Sequence, residues 1–182
     1  MAKVLITGGT GFIGRQVTKE LLNRGYEVHA LVYPPLVPEQ KNFIQHEMNL
    51  LDSKAVDDFL SRNHFENLIH LAWYVGPKCH VSNLNMDWII ATLSLLQSFH
   101  KYGGKTFVGA GTVSEYEYKY GYLQEDETPT DPQTLYGNGK NAVYNVAKVF
   151  CAQNGIDFKW PRIFNLYGPN EKPQRLMPSV IN

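Results

Sequence analysis

The stretch Lys3–Gly14, "KVLITGGTGFIG", constrains this chain more than any other. A β-branched, apolar run goes straight into glycines at positions 8, 9, 11 and 14, and a helical pattern begins at once behind them. The spacing satisfies both Gly9-x-Gly11-x-x-Gly14 and Gly8-x-x-Gly11-x-x-Gly14. Glycine permits the tight turn, lets backbone approach a pyrophosphate, and allows the helix to pack close to the strand. The helix amino terminus then offers free N–H groups and a positive dipole end to the phosphates. Glycine-rich turns are common, so the motif alone is a weak signal. Between a strand and a helix it predicts a dinucleotide-binding unit.

The rest of the chain repeats that alternation. "FIGRQVTKELLNRG" reads as an amphipathic helix with Ile13, Val17, Leu21 and Leu22 on one face and Gly25 as its stop. "YEVHALVY" is a buried strand ended by Pro34 and Pro35. A polar helix is expected over Ser53–Arg62, capped by Asp52 or Ser53. "NLIHLAW" is a short strand, and Asn83–Tyr102 a long helix closed by Gly103–Gly104. "KTFVGAG" is a strand, Thr134–Gln153 a helix, and "IDFKWPRIF" a last strand, with one long loop over Glu115–Thr134. Short apolar strands alternating with helices predict an α/β fold of Rossmann type. Its doubly wound parallel sheet would carry helices on both faces, joined by right-handed crossovers.

Composition removes several function classes. The net charge is zero, so there is no electrostatic footprint for nucleic acid or for an acidic membrane surface. Six histidines are scattered without metal-ligand spacing, so no metal is expected. Cys79 and Cys151 lie far apart with no partner motif, which fits a reducing compartment. The amino terminus turns glycine-rich too soon for a signal peptide, and no apolar run is long enough to cross a bilayer. A cytoplasmic protein is expected. The second strand ends "ALVYPP", with no acid at Val32 or Tyr33 to hold the adenosine ribose and repel a 2′-phosphate. Arg15 follows the glycine loop, so among NAD(P) cofactors the expectation leans to NADP(H).

Between Thr134 and Lys148 the chain repeats a step: Tyr136 precedes Lys140, and Tyr144 precedes Lys148, each by one helical turn. With 11 tyrosines in 182 residues, one such pair arises readily by chance, since residues four apart are ordinary helix neighbours. Eight residues of helix span ~12 Å, so both tyrosines cannot reach one carbonyl. Spacing alone leaves the choice between them open.

"TGGTGFIG", "NLLD" ending at Asp52, "HLAW" at His70–Trp73, "GAGTVSEY", "LYGNGK" and "RIFNLYGP" occur in this order. Together they resemble the extended short-chain dehydrogenase/reductase family, the NAD(P)-dependent epimerases, dehydratases and reductases of nucleotide sugars. The resemblance runs over essentially the whole chain. It implies one NAD(P)-binding Rossmann domain over residues 1–182, with most of the substrate-binding region that begins near "GPNEKPQRLMPSVI" absent. It also chooses the pair. In the family the reacting tyrosine begins "YG", follows a proline, and lies about this far behind a catalytic hydroxyl; Thr112 to Tyr136 is 24 residues and Thr112 to Tyr144 is 32.

The implied catalytic residues are therefore Thr112, Tyr136 and Lys140. The implied cofactor contacts are Gly8, Gly11, Phe12, Ile13, Gly14, Asp52, Ser53, Leu71, Ala72 and Phe164, with Tyr136 and Lys140. Thr112, Asn165 and Arg175 would meet the substrate. Lys140 is expected to favour the Tyr136 phenolate, lowering a pKa ordinarily near about 10. The family's 4,6-dehydratases carry an Asp-Glu pair directly after the catalytic threonine; here those positions are Val113 and Ser114. The resemblance thus points to a reductase of 4-keto-6-deoxy nucleotide sugars, with epimerase, or a binding module without catalysis, as alternatives. It also suggests a homodimer paired through the two long helices, with Tyr144 near the contact.

Overall fold

The computed structural model describes residues 2–171, 173, 179 and 180. Its frame is a six-stranded, wholly parallel sheet built from β1 (Lys3–Thr7), β2 (Glu27–Val32), β3 (Phe43–Glu47), β4 (Asn67–His70), β5 (Thr106–Gly109) and β7 (Asp157–Lys159). The order is β3-β2-β1-β4-β5-β7, so the chain reverses its direction of travel across the sheet between β1 and β4. Four helices connect the strands: α1 (Phe12–Asn23), α2 (Ser53–Arg62), α3 (Leu84–Lys101) and α4 (Leu135–Gln153). This is the expected doubly wound fold.

Neighbouring strand residues face opposite sides, and both sides are dry. Ile6, Val28, Ala30 and Val32 pack with Val17, Leu21 and Leu22 of α1. Leu5, Leu31, Leu68 and Phe107 pack with Leu60 of α2, Leu95, Leu96 and Phe99 of α3, and Ala147 and Cys151 of α4. Each fully buried Val, Leu, Ile or Phe among them contributes about 1.5–3 kcal/mol. The two faces together hold β1 and β4 side by side at the reversal point.

Three strand readings change. β3 is an addition: Phe43 is the sole fully buried residue in "FIQHE", and the rest is half-buried or exposed, as suits a sheet edge. "KTFVGAG" breaks after Gly109, and "IDFKWPRIF" breaks at Trp160–Pro161, where proline has no N–H to give a ladder. The displaced ends, β6 (Gly111–Thr112) and β8 (Arg162–Ile163), pair in a separate two-stranded sheet. That small sheet carries Thr112.

The helix starts are set by side chains. Asp52, rather than Ser53, caps α2, its Oδ1 accepting from Ala55 N at 3.0 Å. Thr134 caps α4 by accepting from Gly137 N at 3.1 Å. Such caps are worth about 1 kcal/mol each.

Candidate active site

The glycine loop lies between β1 and α1 at the reversal point, where open α/β sheets hold ligands. Gly14 is required by contact: a Cβ there would stand 1.9 Å from the Gly8 carbonyl oxygen. Gly11 caps α1 without any side-chain hydrogen bond, and the first turn, with Phe12 and Ile13, contains no acid. The opening N–H groups of an α-helix have no intrahelical partner, so this end suits a pyrophosphate. Leu71 and Ala72 follow β4 and are tied to the loop's edge, Leu71 N donating to Thr7 O at 3.1 Å and Ala72 N to Thr7 Oγ1 at 3.3 Å. Asp52 lines a cleft of about 370 Å³ with Tyr33, Pro34, Glu47, Met48 and Asn49, beyond the carboxyl ends of β2 and β3. Ser53 opens α2 beside it. These residues fit a dinucleotide.

Thr112, Tyr136 and Lys140 converge on the carboxyl side of β5. The chain after Thr112 makes a single 3-10 turn, Val113–Glu115, against which the start of α4 is pressed. A Cβ at Gly137 would lie 2.3 Å from Ser114 O, so only glycine allows this approach. It brings the Tyr136 phenol beside the Thr112 side chain. Burial holds that phenol above its ordinary pKa, while the neighbouring Thr112 hydroxyl opposes the rise. One turn on, Lys140 is 3% exposed; its Nζ donates to Ala110 O at 2.9 Å and sits 4.0 Å from the centre of the Trp73 ring. Burial pushes the lysine down to about 7, and the Glu115 carboxylate opposes this. The expected depression of Tyr136 by Lys140 is therefore not what this geometry produces. The ammonium is drawn to a backbone carbonyl and an indole, and the largest forces on the phenol are burial and Thr112.

A family model for the NAD dependent epimerase/dehydratase family matches residues 4–182. The chain belongs to this family. Among curated relatives, the dTDP-6-deoxy-L-talose 4-dehydrogenase (NAD(+)) of Aggregatibacter actinomycetemcomitans is 32% identical over 98% of this chain and 66% of that protein. The UDP-glucose 4-epimerase of Bacillus subtilis is 28% identical over 97% of this chain and 59% of its own length. Among solved structures, the Thermus thermophilus UDP-glucose 4-epimerase in complex with NAD superposes with a TM-score of 0.84 at 28% identity, covering 98% of this chain and 60% of that one. The chain thus spans about two thirds or less of the relatives it matches.

Within this epimerase/dehydratase framework, the second Tyr-Lys pair stands apart from the site. Tyr144 packs against Phe158 and Trp160, and the Arg162 guanidinium lies 4.8 Å from its ring. It is half-buried, with one side against the last strand of the sheet. Lys148 is exposed, as expected of a residue reaching solvent. Phe164 is half exposed near Tyr116, Asn165 is exposed beyond β8, and Arg175 lies outside the described residues. Among the described residues no helix is long and apolar enough to cross a membrane.

Sequence reasoning missed the residues that back the site. Trp73 is 7% exposed, donates from Nε1 to Asn85 Oδ1 at 2.8 Å, and meets Tyr136 edge-on at 6.4 Å. Glu115 is completely buried and binds Arg162. His70 is also fully buried between the hydroxyls of Thr7 and Thr92, at 2.7 and 2.9 Å. Burial, reinforced by the Lys140 charge, pushes it down to about 3, so it stays neutral. A signal for Glu115 was available: it is a charged residue inside the otherwise uncharged "GAGTVSEY" run.

Proposed function

We propose that this chain is the NAD(P)-binding part of a nucleotide-sugar oxidoreductase that reduces a 4-keto-6-deoxy-hexose by hydride transfer. The observation that carries this reading is the apposition of Thr112 and Tyr136, with Lys140 one turn behind, next to a crevice fit for a dinucleotide. Bound nicotinamide would supply the hydride. Thr112 would hold the sugar's carbonyl oxygen, and Tyr136 would give that oxygen its proton. A phenol held above its ordinary value keeps its proton at neutral pH, which suits a donor. The phenolate left behind would be held by the Thr112 hydroxyl until solvent returns the proton.

Two further observations favour reduction over elimination or epimerisation. The positions after Thr112 are Val113 and Ser114, neither an acid, and Ser114 Oγ is engaged with the Tyr118 hydroxyl at 3.1 Å. The 32% identical relative is named for dehydrogenation at C4 of a 6-deoxy sugar nucleotide, and the reverse of that chemistry is reduction of a 4-ketone. Epimerase is the second reading, supported by the UDP-glucose 4-epimerases at 28% identity and by the same three side chains. For the cofactor we propose NADP(H), because neither Val32 nor Tyr33 is acidic, although Glu47 in the adjacent cleft and the NAD(+) named for that relative weigh the other way.

The test incubates the protein with NADPH or NADH and dTDP-4-keto-6-deoxyglucose, and separately with NAD+ or NADP+ and UDP-glucose. A reductase consumes one reduced cofactor per keto sugar converted. Conversion of UDP-glucose without net cofactor consumption would favour the epimerase, and no conversion with tight cofactor binding would leave a binding module.

A further inference from the structure

Behind Thr112 lies a buried charge that the proposed reaction does not itself use. Glu115 has 0% of its side chain exposed. Stripping a carboxylate of water costs several kcal/mol even after relaxation, so its partners matter. Oε1 accepts from the Thr112 backbone N–H at 2.8 Å, and Arg162 Nε donates to Oε2 at 2.8 Å. Trp160 Nε1 is shared between the two oxygens at 3.2 Å each. Thr112 Oγ1 in turn accepts from Ser114 N at 3.2 Å, which completes a reciprocal capping box around the turn. Both strands of the small sheet are therefore gripped by one side chain, β6 at Thr112 and β8 at Arg162. Arg162 also lies over the rings of Tyr116 and Tyr144, 4.9 and 4.8 Å from their centres.

The small sheet holds only two paired positions, Gly111↔Arg162 and Thr112↔Ile163. So short a ladder is a weak mount for a hydroxyl that must meet Tyr136. We propose that Glu115 is a positioning residue for the reaction: its buried carboxylate, anchored by Arg162 and Trp160, fixes the Thr112 turn against Tyr136. This rests on the reading of Thr112 and Tyr136 as reacting groups. Losing the clamp leaves the pyrophosphate end of the cofactor site intact, because the clamp's hydrogen bonds go to Thr112, Trp160 and Arg162 and not to the glycine loop, and slows the chemical step. A misplacement of about 1 Å in such a group is worth about 10²-fold in rate.

A simple Glu115→Leu change would strand the Arg162 charge and risk unfolding, so the test uses two double variants. Glu115→Leu with Arg162→Met removes the ion pair cleanly. Glu115→Gln with Arg162→Met removes the charges but keeps an acceptor oxygen for the Thr112 N–H. Thermal melts establish that each is folded; NADPH titration, kcat and KM are then measured beside Tyr136→Phe. The Leu/Met variant is expected to bind NADPH within about three-fold of wild type while kcat falls about 10²-fold, and the Gln/Met variant to recover most of that loss. Wild-type kcat in Leu/Met, or no recovery in an equally stable Gln/Met, overturns the proposal. If Tyr136→Phe itself keeps wild-type turnover, the underlying reading of the site is what fails.

Discussion

Lys140 shows how much one residue's surroundings decide. Its place one turn behind Tyr136 was legible in "LYGNGK"; its partners were not, because they come from the segments that follow β4 and β5, distant in sequence. Trp73 covers it and the Ala110 carbonyl accepts its hydrogen bond, so burial pulls the lysine from an ordinary 10.5 to about 7. Between those values the unfolded chain binds a proton that the folded chain does not. Stability should therefore rise with pH across that window, with a slope of up to about 1.4 kcal/mol per pH unit from this group. Below pH 7 the cost of charging the buried lysine is fully present. Urea midpoints for wild type and Lys140→Met from pH 6 to 10 check this: the wild type should gain on the variant as pH rises, and parallel curves would contradict it. Glu115 was half legible: the sequence shows a lone acid in an uncharged run, but its partners Trp160 and Arg162 lie 45 and 47 residues away.

At the scale of elements, strong periodicity was enough. The helices and the central strands lie where apolar spacing, caps and glycine stops put them, within the usual blur of element ends. What escaped was edge and corner structure. β3 buries one face residue fully and so lacks a clear alternation, while Pro161 divides a run whose apolar character continues through it. The contact between the Val113–Glu115 turn and α4 depends on Gly137. Gly137→Ala would drive a methyl into the Ser114 carbonyl, so we expect a loss of about 1–3 kcal/mol, as for other overpacked sites. Turnover should fall with it, because the same contact sets Tyr136 against Thr112. Gly121→Ala, which meets nothing within 4 Å on an exposed loop, should change stability by less than about 0.5 kcal/mol. Equal effects in the two melting curves would remove the argument for close approach.

For the whole molecule, the fold and its crevice follow from the glycine loop and the strand order. We propose a homodimer through α3 and α4, whose outer faces leave Met86, Ile90, Val146 and Val149 half exposed or more. Light scattering should give twice the chain mass, reduced to the monomer by Ile90→Glu; a monomer at every workable concentration would remove the proposal. The central claim is that hydride transfer depends on Tyr136 and not on Tyr144. The direct measurement is NADPH oxidation at saturating dTDP-4-keto-6-deoxyglucose for wild type, Tyr136→Phe and Tyr144→Phe, with folding confirmed by melting. Tyr136→Phe should lose ~10²–10⁴ in rate, the usual worth of a positioned acid, while Tyr144→Phe stays within a few-fold. Full activity in Tyr136→Phe, with loss in Tyr144→Phe, would contradict both the choice of pair and the placing of Thr112 at the site.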